Sequence, residues 1–338
     1  MDFKGRDVVS IRDFSKDEIV HILTEAERWV PVAKGEEYCD LLKGKVMASM
    51  FFEPSTRTRL SFETAMGRLG GHVVSITGTE GTSLVKGETL ADTIRMADAY
   101  SDVIVLRHPK EGAARLAAEF AKSPVINGGD GAGQHPTQTL LDLFTIHFTT
   151  GSVEGTTVAM IGDLKFGRTA HSLSYALALM GAKVILVSPP SLQMPEEFVE
   201  SLGKVGQKPV VSDDLREAAR EADVLYVTRI QKERFPDITE YQKVKGVYKI
   251  DNAMLAGCRS DVKVMHPLPR VDEISPEVDS TEHATYFQQA FNGVPVRMAL
   301  LHLLLGRYGE PAAGWGDHAK NKGKIGLETG SEAGGGDR

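Results

Sequence analysis

The chain carries only two cysteines, Cys39 and Cys258, in 338 residues. Two thiols cannot build a disulfide scaffold or a cysteine zinc cage, so both are expected to be free in a reducing, cytoplasmic compartment. There is no run of 18 or more apolar residues, which excludes a membrane-spanning helix. The N-terminal stretch MDFKGRDVVS has no apolar h-region, so a cleaved signal peptide is not expected. An excess of positive charge is missing too. Lys and Arg number 39 against 46 Asp and Glu, a net charge of −7, which argues against a protein that coats nucleic acid. It leaves room for a local basic pocket. The sequence holds no G-x-G-x-x-G, no G-x-S-x-G and no H-x-x-x-H. A dinucleotide fingerprint, a serine nucleophile elbow and a metal site are therefore all absent, and no cofactor is expected.

What is present suffices for two ordinary cores. Apolar residues make up 41% of the chain and charged residues 25%, on a length of about two domains. Ser15 and Glu18 form a capping-box pattern before Ile19, Ile22, Leu23 and Ala26 at helical spacing. From Lys45 onward, β-rich runs at 46–52, 72–77, 102–106 and 124–127 alternate with helical stretches at 56–69, 89–100 and 111–122. A longer helix at 136–148 runs into Thr149, Thr150 and Gly151, which read as a hinge, and the alternation then restarts. Strands are expected at 157–161, 183–188, 223–228, 247–250 and 262–265, and helices at 168–180, 195–202, 213–221 and 296–308. This is the pattern of βαβ units. It predicts an α/β fold of two doubly wound parallel-sheet halves.

The residues able to do chemistry fall where strands should end, the place where open α/β sheets bind ligands. In the run from Phe52 to Arg59, a hydrophobic strand turns through Pro54, Ser55 and Thr56 straight into a helix that carries Arg57, Thr58 and Arg59. Free N–H groups, hydroxyls and a guanidinium at a helix N-terminus suit a phosphate. An ordinary N-cap with a solvated arginine is the plain alternative. Ser83 and Lys86 lie in a loop before a helix, where a mobile phosphate clamp and a simple surface lysine both fit. Arg107 leaves the end of a strand. His135 and Gln138 follow the glycine-rich stretch 127–133 at a helix start, where neutral donors could meet a carbonyl oxygen as it gains negative charge; a glycine-rich turn with a capping His is the alternative there. In the second half, Arg168 opens a helix after Gly162, Arg229 and Gln231 lie beyond a strand end, and His266-Pro267-Leu268-Pro269-Arg270 forms a proline-rigid turn whose Leu268 carbonyl could accept from an amine. The first half thus suits a phosphate and a carbonyl, and the second suits carboxylates and an amine.

In order and spacing, these motifs resemble the catalytic chains of the aspartate carbamoyltransferase family, from about Arg6 to Tyr308. The resemblance implies transfer of the carbamoyl group of carbamoyl phosphate to L-aspartate in pyrimidine biosynthesis. It implies that Ser55, Thr56, Arg57 and Thr58 hold the phosphate. Arg107, His135 and Thr58 would polarise the carbonyl, and Gln138 would fix the carbamoyl amino group. Ser83 and Lys86 would reach in from a neighbouring subunit of a homotrimer; here two residues separate them, where some relatives have three. Arg168, Arg229 and Gln231 would bind the aspartate carboxylates. The Leu268–Pro269 segment, cis in the family, would complete the pocket, and Glu53 would pair with Arg168 or Arg234 when the halves close. The implied fold is that of aspartate/ornithine carbamoyltransferases. Residues 1–135 would form the carbamoyl-phosphate domain, 136–150 a connecting helix, 151–292 the aspartate domain, 293–310 a C-terminal helix packing back on the first domain, and 311–338 a disordered Gly-rich tail. A zinc-bearing regulatory chain and a dihydroorotase are both compatible as partners. Ornithine-type enzymes are the near rival, but they carry a Cys in the motif where this chain has Pro267, and a Ser-Met-Gly segment that it lacks. A non-catalytic α/β binding module would have lost the Arg, His and Lys set, and a nicotinamide oxidoreductase lacks its glycine fingerprint here.

Overall fold

Ser15 starts the first helix as its spacing to Glu18 predicts. The Glu18 N–H donates to Ser15 Oγ at 3.2 Å and the Ser15 N–H to Glu18 Oε2 at 2.8 Å. Helix α1 (Lys16–Arg28) buries Ile19, Ile22, Leu23 and Ala26, and the short α2 (Val30–Lys34) follows it. The computed structural model describes residues 1–80, 82–230, 238–244 and 246–306.

The first sheet is built from β1 (Val46–Phe51), β2 (His72–Thr77), β3 (Val103–His108) and β4 (Val125–Asp130). Helices α3 (Thr56–Arg68), α4 (Leu90–Tyr100) and α5 (Ala113–Phe120) connect them, with a 3-10 turn at Ser83–Lys86 ahead of α4. The strands are parallel in the order β2-β1-β3-β4. Alternate residues feed two cores. Met47, Phe51, Val103, Val105 and Ile126 pack on one face, and Ala48, Met50, Ile104, Leu106 and Val125 on the other. A parallel sheet covered on both faces needs such continuously apolar strands.

Helix α6 (Pro136–Thr150) leads to the second sheet, made of β5 (Thr157–Ile161), β6 (Lys183–Val187), β7 (Val210–Ser212), β8 (Val224–Val227) and β9 (Lys263–Met265). It is parallel in the order β7-β6-β5-β8-β9. Its connections hold α7 (Arg168–Met180), α8 (Glu196–Val205), α9 (Leu215–Glu221), α10 (Ile238–Val244) and α11 (Asn252–Leu255). Helix α12 (Tyr286–Leu305) then returns to the first half and packs on α1, α3 and α6. In each sheet the strand order reverses beside the first strand of that sheet, between β1 and β3 and between β5 and β8. These switch points are where doubly wound sheets open a ligand crevice.

The sequence reading did not foresee the short helices α2, α10 and α11, and in four further places the structure departs from it. Residues 247–250 are not a strand; Ile250 makes only an isolated parallel bridge to Ile274, and β9 takes the place beside β8. The edge strand β7, three residues long and largely exposed, is too short for its two valines to mark a strand in the sequence. The last helix starts at Tyr286 rather than 296, because Gly293 and Pro295 read as breakers, yet both are buried within a continuous helix. Proline costs a helical hydrogen bond, and dense apolar packing over Val296–Leu304 offsets it. Strand β4 continues past 127 to Asp130. Residues 307–308 of the expected helix and the tail 311–338 lie outside the described residues. Among the described residues, no helix is long and apolar enough to cross a membrane.

Candidate active site

A crevice of about 520 Å³ opens at the carboxyl ends of the two sheets. β1 delivers the chain to Ser55, the N-cap of α3, whose side chain makes no capping hydrogen bond. The hydroxyl and the first-turn N–H groups are left for a ligand, on the positive end of a helix of 13 residues. Ser55, Thr56, Arg57 and Thr58 all line the crevice; Thr56 and Arg57 are exposed and Thr58 is buried.

Arg107 comes from the end of β3, hydrogen-bonded to β1. Its Nη1 donates to the Gly128 carbonyl at 3.0 Å and its Nη2 lies 3.1 Å from Glu53 Oε2. That partner of Glu53 was not foreseen; of the two named for it, Arg234 lies outside the described residues. His135 is buried at the N-cap of α6, its Nε2 3.4 Å from Thr58 Oγ1 and its buried Nδ1 without a hydrogen-bond partner among the described residues. Burial holds its pKa well below the ordinary histidine range, helped by the charges of Arg107, Arg168 and Arg297. The imidazole is therefore neutral and offers a single N–H.

The second half supplies Arg168, the first residue of α7, and Arg229, just past β8. Both line the crevice. Arg168 Nη1 donates to the Gly131 carbonyl across the two halves. Gly129 explains how closely the halves approach. It has φ +117, and a Cβ there would stand 2.7 Å from Arg107 Nη1 and 3.1 Å from Arg168 Nη2. Two guanidiniums from different sheets thus meet over a backbone that only glycine can form. Leu268 and Pro269 close the crevice with a cis peptide bond between them. Neutral His266 fixes that turn: Nδ1 accepts the Leu268 N–H at 2.8 Å and Nε2 donates to Glu273 Oε1 at 2.6 Å. Burial keeps the His266 pKa low against the pull of Glu273.

Gln138 also lines the crevice. Ser83 and Lys86 do not; they are exposed on the 3-10 turn before α4. Gln231 lies outside the described residues. Sequence reasoning missed two buried groups. Arg297, within the apolar run of α12, lines the crevice and donates from Nη2 to Thr137 Oγ1 at 3.2 Å. Its guanidinium sits 4.8 Å from the centre of the Phe62 ring, and burial pushes its pKa down to about 9. Asp142 sits in the middle of buried α6. A single charge inside an otherwise apolar helical run was the available signal for both. Among the described residues, no three His, Cys, Asp or Glu side chains group as metal ligands.

The sequence and fold match known proteins over most of their length. Residues 6–148 match the family model described as the aspartate/ornithine carbamoyltransferase carbamoyl-P binding domain, and residues 154–304 its Asp/Orn binding domain. The chain is 57% identical over 302 residues to the aspartate carbamoyltransferase catalytic subunit of Methanothrix thermoacetophila, covering 89% of this chain and 99% of the relative. It is 58% identical to that of Thermococcus kodakarensis, over 91% of this chain and all of the relative. Among solved structures, the catalytic subunit of M. jannaschii aspartate transcarbamoylase superposes with a TM-score of 0.83 at 51% identity, covering 88% of this chain and 97% of that one. Aspartate transcarbamoylase from Trypanosoma cruzi, in complex with carbamoyl phosphate and aspartate, gives 0.84 at 44% identity, over 90% and 98%.

Proposed function

The chain belongs to the aspartate/ornithine carbamoyltransferase family, and from that membership we propose that it is an aspartate carbamoyltransferase, converting carbamoyl phosphate and L-aspartate to N-carbamoyl-L-aspartate and phosphate. One observation carries the reading. Donors suited to a phosphate and a carbonyl, from the first sheet, open on the same crevice as cations suited to carboxylates, from the second, and Arg107 meets Arg168 over Gly129.

In this reading, Ser55, Thr56, Arg57, Thr58 and the N–H groups opening α3 hold the phosphate. Arg107, neutral His135 and Thr58 face the carbamoyl oxygen and stabilise the charge it gains when the aspartate amine attacks the adjacent carbon. Arg168, Arg229 and Gln231 take the two carboxylates, and the Leu268–Pro269 turn bounds the amine. Catalysis is then positioning plus preorganised charge, in a crevice where the donors need not reorganise during the reaction. Relatives named as aspartate enzymes, and Pro267 in the turn, support aspartate over ornithine as acceptor.

Lys86 and Ser83 complete the phosphate site from a neighbouring copy in a homotrimer. Their exposed 3-10 turn supports this, as does the outer strand β2, where Val74 and Ile76 are 49% and 37% exposed. An exposed apolar edge strand calls for cover. The place of the reaction is pyrimidine biosynthesis in the cytoplasm, a reading supported by the two unpaired thiols. A steady-state assay with carbamoyl phosphate and either L-aspartate or L-ornithine tests the proposal. N-carbamoyl-L-aspartate is the expected product; carbamoylation of ornithine alone would overturn it.

A further inference from the structure

Asp142 is fully buried on α6, and the transfer chemistry above gives it no part. Three donors from three elements converge on it. Gln138 Nε2, one turn earlier on α6, donates to Oδ1 at 2.9 Å, and Gln289 Nε2, on α12, donates to the same oxygen at 2.7 Å. Tyr226 OH, on β8, donates to Oδ2 at 2.7 Å. Burial pushes the Asp142 carboxyl up to about 7 against these hydrogen bonds, and a proton carried on Oδ2 leaves Oδ1 accepting as before.

An oxygen that only accepts fixes the direction of both amides. Each glutamine turns its NH2 toward Asp142 and its carbonyl away. The Gln289 carbonyl goes to the His266 N–H at 2.8 Å, at the root of the turn that carries Leu268 and Pro269. Gln138 lines the crevice, so with its NH2 turned to Asp142 its Oε1 is the acceptor it offers a ligand. A carbamoyl group differs from an acetyl group in presenting NH2 where acetyl presents CH3. An acceptor at Gln138 favours the first; a reversed amide would set donor against donor.

We propose that Asp142 is a positioning and specificity-determining residue: by holding Gln138 with its carbonyl toward the crevice, it selects a carbamoyl over an acyl phosphate, while the same oxygen holds Gln289 on the Leu268 turn. This assignment rests on the carbamoyl-transfer reading. A shape-only role for Asp142 would affect folding and all phosphate ligands alike, whereas an orienting role separates them.

The test compares dissociation constants for carbamoyl phosphate, acetyl phosphate and inorganic phosphate on the full chain and on Asp142→Leu, Asp142→Ser, Asp142→Asn and Gln138→Leu. The parent chain should prefer carbamoyl over acetyl phosphate by roughly three- to tenfold, the net worth of one hydrogen bond. Asp142→Leu removes the acceptor, and Asp142→Ser is too short to reach the Gln138 amide, so both should lose the preference as fully as Gln138→Leu while still binding inorganic phosphate. The Asp142→Leu/Gln138→Leu double variant should lose no more. Asn retains an accepting oxygen for both glutamines and can donate to Tyr226, so Asp142→Asn should recover the preference. An Asp142→Leu or Asp142→Ser chain that binds phosphate and keeps the parental preference overturns the assignment, as does loss of the preference in Asp142→Asn. Failure of the transfer reading would look different: the parent chain would carbamoylate neither L-aspartate nor any other amine acceptor, and the assignment would fall with it.

Discussion

Replacing Asp142 with asparagine takes a titrating carboxyl out of the interior without changing its shape. Asp142 is wholly buried, and its pKa rises from 3.8 to about 7 because burial opposes the charge more than Gln289, Tyr226, Gln138 and the charge of Arg297 favour it. In the unfolded chain the group ionises near pH 3.8. Below that pH both states are protonated, and the group contributes nothing to the pH dependence. Between there and about pH 7 the folded state keeps a proton that the unfolded state releases, so stability falls as pH rises, by about 1.4 kcal/mol per unit. The total is on the order of 4 kcal/mol and is complete above pH 7. Asparagine does not titrate. Exchanging the neutral acid's hydrogen bonds for those of an amide moves the stability of Asp142→Asn by a constant, while the difference between the two proteins must change with pH. Urea unfolding of both chains at half-unit steps from pH 4.5 to 8.5 measures this. The variant should gain on the parent steadily up to about pH 7 and then run level with it. A difference independent of pH would mean that Asp142 ionises alike in both states, and would refute the account of its burial.

Three further outcomes follow from the site. His135→Ala should keep the fold and the affinity for inorganic phosphate while lowering turnover by about 10²–10³, the usual effect of removing one donor to a developing oxyanion; an unchanged turnover number would remove His135 from that role. Lys86→Gln and Arg57→Ala chains, each inactive alone, should regain activity when unfolded together and reassembled, because some sites then combine an intact Lys86 with an intact Arg57; no recovery in a mixture of proven mass would argue against shared sites. Gly129→Ala must relieve a contact of 2.7 Å to Arg107 Nη1 and carry a side chain at φ +117. It should cost about 1–3 kcal/mol of stability and raise the KM for both substrates, read by thermal unfolding and steady-state kinetics.

Much of the fold was legible because its logic is local. Near-continuous apolar runs such as 46–51 and 103–106 and the Ser15–Glu18 box state their structure in adjacent residues. The crevice was legible for a related reason. Ser55, Arg107, Arg168 and Arg229 each end or follow a strand or open a helix, so chain position alone foretold that they would gather at the carboxyl ends of the sheets. What escaped is set by contacts distant in sequence. Nothing near Pro295 announces that packing against α3 and α6 will carry a helix through it. The three-residue β7 exists because β6 offers it an edge, not because its own residues are apolar inward. Asp142 meets Gln289 and Tyr226, residues 147 and 84 positions away, and that convergence has no signature beyond one acid in an apolar helix.

The central claim is that the aspartate amine attacks the carbamoyl carbon directly, with the crevice supplying position and charge. Simultaneous measurement of phosphate and N-carbamoyl-L-aspartate in single-turnover mixtures of the full chain with carbamoyl phosphate tests it most directly. The account predicts equal amounts of both products, formed at one rate and only when L-aspartate is present. A burst of phosphate before aspartate is added, stoichiometric with the chain, would reveal a carbamoylated protein intermediate and contradict it.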